Sequence, residues 1–107
     1  MENKNEKIIS LLQLAFKANK IALGHDAVIR LLIKKKVFLL LLAKDLSENS
    51  ISSISKHIKN NEVEIIKWGN KDIYFQIFNK YTGIVAILDL NFKSGIKNHF
   101  TNSTKEG

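Results

Sequence analysis

The 107-residue chain contains no cysteine, which excludes disulfides, thiolate nucleophiles and cysteine-based zinc sites. That absence suits a reducing cytoplasm. Long apolar runs are missing too: the longest, Val37 to Ala43, has seven residues, against about 20 for a helix that spans a bilayer. Lys34-Lys35-Lys36 keeps it apart from Leu31-Leu32-Ile33. The opening residues, Met1 to Lys7, are polar and mixed in charge, unlike a secretory signal. A soluble, cytoplasmic protein with no membrane partner is expected. No Gly-rich phosphate loop, Gly-x-Ser-x-Gly elbow or dinucleotide fingerprint occurs. His25, His57 and His99 fall in separate helical segments without metal-ligand spacing. Asp45 and Glu48 form an Asp-x-x-Glu pair, the arrangement that caps a helix start rather than one that moves protons. Catalysis, metal, cofactor and small-molecule substrate are therefore not expected.

What is present is an apolar content of 45%, enough for one domain burying roughly two-thirds of its unfolded surface. Seventeen Lys and Arg against ten Asp and Glu give a formal charge of +7, which makes a polyanion the natural partner. Arg30 is the only arginine. Lysine acts as a point charge rather than a planar fork, so the same surplus also reads as a solvated surface.

Strands and helices alternate along the chain. Ile8, Leu11, Leu12 and Ala15 fall at helical spacing between Glu6 and Ala18. Asn19 suits the left-handed residue that ends such a helix, and Ile21-Ala22-Leu23 reads as a short strand. A second helix is expected from about His25 to Lys35. The unbroken apolar run Val37 to Ala43 suits a central strand covered on both faces. Asp45 or Ser47 caps a third helix marked by Ile51, Ile54 and Ile58. Asn60-Asn61 turns the chain into a strand from Val63 to Trp68, and Asn70 caps a fourth helix with the stripe Tyr74, Ile77, Phe78 and Tyr81. Ile84 to Leu88 is a second buried strand. Phe92, Ile96 and Phe100 mark a last helix, and Thr101 to Gly107 is expected to be a polar, disordered tail. The pattern αβαβαβαβα implies a four-stranded sheet between two layers of helices, in a single domain over residues 1–100.

The turn Leu23-Gly24-His25-Asp26 joins a strand to a helix. Glycine there lets a ligand approach the backbone, and the free amides of a first helical turn hold anions. Arg30 lies four residues past Asp26 on the same face, and its guanidinium suits phosphate and guanine edges. The same residues also read as an ordinary junction, with Asp26 offsetting the helix dipole and pairing with Arg30. Lys34-Lys35-Lys36 closes that helix roughly 15 Å from its start, so it faces away from the Gly24 turn and favours the dipole. Trp68, Tyr74 and Tyr81 are aromatics able to stack on bases; Tyr74 fits the core better, and Tyr81, at a loop entrance, is the better stacking candidate.

Leu11-Leu12-Gln13-Leu14-Ala15-Phe16-Lys17-Ala18-Asn19-Lys20, followed by Leu23-Gly24-His25-Asp26-Ala27-Val28, resembles the start of bacterial YlxQ-type proteins, members of the kink-turn-binding ribosomal protein superfamily. Leu40-Leu41-Leu42-Ala43-Lys44-Asp45-Leu46-Ser47-Glu48-Asn49 is the most specific match. Lys67-Trp68-Gly69-Asn70-Lys71-Asp72 and Ile84-Val85-Ala86-Ile87-Leu88-Asp89 fall where that family has its third and fourth strand ends. The likeness covers about Leu11 to Phe100. It implies an α/β/α sandwich on a four-stranded mixed sheet and a non-catalytic binder of structured, kink-turn-like RNA. The implied partners are ribosomal RNA and ribosomal proteins. It also implies that three loops share one RNA-facing edge: Gly24, His25 and Asp26 with Arg30; Lys44 to Ser47 with the helix start near Ile51; and Lys80-Tyr81-Thr82-Gly83 with Ile84. In this reading the Gly24 amides, Arg30, Lys44, Lys71 and Lys80 contact phosphates, while Tyr81, Thr82 and Ile84 pack against a base.

The departures matter. Kink-turn binders carry an Asn and a Glu that read guanines, then a Lys, where this chain has Asp26, Ala27 and Arg30. Asp26 lacks an amide donor and Ala27 offers nothing to a base edge, whereas Arg30 keeps the cation. Leu90-Asn91 replaces an Asp-Pro-Gly-like turn. The other reading these departures support is a protein-interaction module that has lost specific RNA reading.

Overall fold

The computed structural model describes residues 4–58 and 63–106, so the expected turn at Asn60-Asn61 lies outside the described residues. The order is α1 (Lys4–Lys17), β1 (Ile21–Leu23), α2 (His25–Ile33), β2 (Leu39–Leu42), α3 (Glu48–Ser55), β3 (Glu64–Lys67), α4 (Lys71–Phe78), β4 (Ile84–Ile87) and α5 (Leu90–Glu106). The nine elements alternate as the periodicity predicts. The sheet is mixed, ordered β1-β4-β2-β3: β4 runs antiparallel to both β1 and β2, and β3 is parallel to β2.

The unalternating apolar runs form β2 and β4, and every residue of both is buried. Successive side chains of a strand point to opposite faces, so these two strands feed two cores. Leu39, Leu41, Val85 and Ile87 pack with Ile8 and Leu12 of α1, Tyr74 and Phe78 of α4 and Ile96 of α5. Leu40, Leu42, Ile84 and Ala86 pack with Val28 and Leu32 of α2 and Ile54 of α3. The architecture is a three-layer α/β/α sandwich, as the sequence implies.

Several ends differ from expectation. The second helix stops at Ile33 with Lys34 as its cap, because Lys35 turns left-handed at φ 60°. Asn19 takes the expected left-handed conformation, also at φ 60°. Ser47, not Asp45, caps α3, accepting from the Ser50 amide at 3.2 Å. Asn70 caps α4 as expected, accepting from the Ile73 amide at 2.8 Å. That helix ends at Phe78 because Asn79 is left-handed, which removes Tyr81 from the stripe. The last helix runs through Glu106, past the expected start of the tail at Thr101; between Thr101 and Glu106 there is neither proline nor glycine to end it.

Candidate nucleic-acid interface

The sheet order gathers four loops at one end of the molecule. β1 and β2 finish there, β3 finishes beside β2, and the antiparallel β4 begins there. Backbone hydrogen bonds join the loops in sequence: the Gly24 amide donates to the Ile84 carbonyl at 3.1 Å, the Ala43 amide to Gly83 at 2.9 Å, and the Lys44 amide to Gly69 at 2.9 Å. The Gly24 turn, the Lys44–Ser47 loop and the loop before Ile84, far apart in sequence, thus form one rim.

Gly83 locks this rim. A β-carbon at that position would lie 2.8 Å from Leu46 Cδ1, 3.4 Å from Lys71 Cε and 3.5 Å from Ala43 Cβ, so the Leu46 and Lys71 side chains close over the glycine. Asp45, one residue beyond the rim's Lys44, turns its carboxylate onto α4, where Oδ1 accepts from the Lys71 amide at 3.2 Å. The expected capping role of Asp45 is therefore fulfilled on a different helix.

Three helices open at this end, and their first turns differ. Ser47 covers amides of α3, while Asn70 and Asp45 cover those of α4. At α2 the cap is Gly24, at φ 93° and ψ 160°, with no side chain to accept a hydrogen bond. Helix amides without a cap are the ones open to an anion. The His25 ring lies beside them. Its Nε2 is 2.8 Å from Ser53 Oγ of α3, and its Nδ1 is 3.3 Å from Asp26 Oδ1. No sequence signal connects His25 with Ser53, 28 residues on. The anticipated Asp26–Arg30 pair does not form: Asp26 pairs with His25 instead, and its side chain is 95% exposed. Arg30 is exposed in the last turn of α2, roughly 7 Å along the axis from His25.

Lys44 and Lys80 are exposed and Lys71 half-exposed. Tyr81 is 65% exposed, free of the helix that was expected to carry it. Two residues assigned to base packing point elsewhere. Ile84 is 3% exposed and belongs to the core under α2 and α3, and Thr82 turns its hydroxyl inward, donating to the Ile84 carbonyl and accepting from the Ile84 amide. Strand alternation and the tight entry into β4 bury both. Trp68 is not available to stack either. Its indole lies against Tyr74 at 5.9 Å and its Nε1 donates to Asn5 Oδ1 at 3.1 Å. The Tyr74 hydroxyl donates to the Trp68 carbonyl, and burial, then the charge of Asp45, raise its pKa.

A shallow cleft of about 500 Å³ borders the rim, lined by Asn5, Lys44, Asp45, Trp68, Gly69, Asn70 and Ile73. The described residues hold no group of three or more His, Cys, Asp or Glu able to bind a metal, and no helix among them is long and apolar enough to cross a membrane.

Comparison with known proteins follows the same outline. The model of the ribosomal protein L7Ae/L30e/S12e/Gadd45 family matches residues 6–92. Among solved structures, a protein of unknown function from Bacillus halodurans superposes with a TM-score of 0.80 at 19% identity, covering 89% of this chain and 97% of its own. A Giardia lamblia 15.5 kD RNA-binding protein superposes with a TM-score of 0.71 at 13% identity, covering 95% of this chain and 88% of its own. At these identities the likeness establishes the fold. No curated protein sequence matches.

Proposed function

The chain belongs to the ribosomal protein L7Ae/L30e/S12e/Gadd45 family, and from that premise we propose that it is a non-catalytic cytoplasmic binder of structured RNA, acting on bent, kink-turn-like stems of ribosomal RNA alongside ribosomal proteins. The observation that carries this reading is the single rim that joins the Gly24, Lys44 and Tyr81 loops, together with family membership. A neighbour of the same fold is an RNA-binding protein, which supports the ligand class.

Each group has a role in this proposal. The uncapped first-turn amides of α2, at His25 and Asp26 behind the Gly24 cap, receive a phosphate. Arg30, Lys44, Lys71 and Lys80 neutralise neighbouring phosphates, and Arg30 can also form bidentate bonds. Tyr81 stacks on a base released from pairing. Thr82 and Ile84 hold the loop that presents Tyr81. Asp26 and Ala27 supply no base-reading amide, so selection rests on RNA shape.

The test is titration of a bent stem-loop RNA with wild type, Tyr81→Ala and Arg30→Ala. Stacking on one base is worth about 1–3 kcal/mol, so Tyr81→Ala weakens binding by about tenfold or more, and Arg30→Ala flattens its salt dependence by about one in log–log slope. Undiminished affinity in both variants refutes the reading. The exposed carboxylate of Asp26 beside the α2 amides favours one other reading, a protein-interaction module on the same fold. Absence of any RNA shift at low salt selects it.

A further inference from the structure

The charge surplus is not concentrated at the rim. Lys44, Lys67, Lys71 and Lys80 lie at or toward that end, with Arg30 further along α2, yet Asp26, Asp45, Glu48 and Asp72 lie at the rim end too. The opposite end is built from the α1–β1 turn, the α2–β2 turn and the start of α5. The Leu88 amide donates to the Lys20 carbonyl at 2.9 Å and the Phe38 amide to Ile87 at 2.9 Å, so Lys20 and Phe38 flank the end of β4. Two strand spacings separate them, roughly 10 Å, and Lys34-Lys35-Lys36 leads directly into that strand edge.

Lys17, Lys20, Lys34, Lys35 and Lys36 are all exposed here, and none makes an ion pair among the described residues. The described carboxylates at this end are engaged. Asp89 accepts from the Asn91 and Phe92 amides at 2.8 and 3.0 Å, and Glu64 binds Lys93 and Lys97 at 3.2 and 2.8 Å. Arg30 already places a cation in the last turn of α2, where it favours the helix dipole. The lysine cluster exceeds what the helix needs.

We infer that this far end is a second RNA-binding surface, which grips the phosphates of a separate double-helical RNA segment without reading its bases. The inference rests on the proposed RNA function for its choice of polyanion. Lysines on and beside these two turns act as point charges that position a phosphate backbone and carry no sequence information. The exposed apolar side chains near it, Phe16, Ile33 and Leu90, come from three different elements, α1, α2 and α5, unlike the continuous apolar face that holds one helix at a membrane surface. With the rim on one end and this surface on the other, a single chain bridges two RNA segments.

The experiment uses the full chain and a fully paired RNA duplex with no bulge or bend, titrated over a range of salt. Wild type binds it with a log K–log salt slope of roughly −4, by analogy with five neutralised phosphates on duplex DNA. Replacing Lys34, Lys35 and Lys36 together by Gln makes that slope shallower by about 2 to 3 and weakens low-salt binding by about tenfold or more. Lys17→Gln with Lys20→Gln, on a separate turn, gives a smaller loss in the same direction, and Tyr81→Ala gives none. Duplex binding unchanged in both lysine variants overturns the inference, as does lysine-dependent binding to anionic vesicles with no binding to duplex. If the lysine variants lose duplex binding while wild type binds the bent stem no better than the duplex, the far surface stands and the reading of the rim fails. If Tyr81→Ala loses the bent stem and wild type ignores the duplex, the rim stands and the far surface fails.

Discussion

Gly24 holds φ 93° and ψ 160°, a region that residues with a β-carbon enter only at a cost of about 1–3 kcal/mol. A β-carbon built there meets nothing within 4 Å, so the penalty is conformational and not steric. Gly24→Ala therefore lowers unfolding stability by about 1–3 kcal/mol in a urea titration, and Gly24→Val does no better for having room. A loss near zero would mean the α2 junction relaxes to another conformation. At this scale the sequence was partly legible. Gly24 and Asn70 announced their roles through residue type, since one fits a positive φ and the other a helix cap. Thr82 and Ile84 did not, because their burial follows from how β4 enters the sheet, which no local pattern records. Of the two caps offered for α3, Asp45 or Ser47, the second holds that place, and Asp45 accepts from the start of another helix. Its target, the Lys71 amide, lies 26 residues away.

Strand β3 is an edge strand, and its solvent-side burial alternates. Its first residue, Glu64, is fixed to α5 by Lys97 and Lys93. The hydrogen bond from Lys97 and then Lys93 hold its carboxyl below the usual range, against the opposing effect of partial burial. A carboxylate depressed in the folded state stabilises the fold above its unfolded pKa of about 4.5, and that contribution is lost as pH falls through the folded value. The three side chains are 19–45% exposed, so the contribution is under about 1 kcal/mol and is screened by salt. Wild type and Glu64→Gln, melted between neutral and acid pH, should differ near pH 7 and converge once the pH falls below the depressed folded value. A constant difference would contradict the pairing. Element order was legible because helical and strand periods differ. The end of α4 was not, because Tyr81 continued the helical stripe that Asn79 breaks.

Across the whole molecule, β2 and β4 are the inner strands, paired on both sides and buried on both faces. Amides so placed exchange only through near-global opening, whereas edge strands open locally. Hydrogen exchange is expected to protect Leu39–Leu42 and Ile84–Ile87 longest, with Ile21–Leu23 and Glu64–Lys67 exchanging earlier. Equal protection of all four strands would argue against this hierarchy. The sandwich was legible from the two unalternating runs. The strand order, which decides that the Gly24, Lys44 and Tyr81 loops share one end, rests on pairings between distant segments that no local pattern records; only the shared edge of the loops was implied, by family resemblance. Gly83 gives that arrangement a final property. Its missing methyl group leaves the space that the tips of the Leu46 and Lys71 side chains occupy. An alanine at that position would push the Leu46 tip aside, so the surface between the β2 and α4 loops would be reshaped by a side-chain shift with no charge or aromatic ring exchanged.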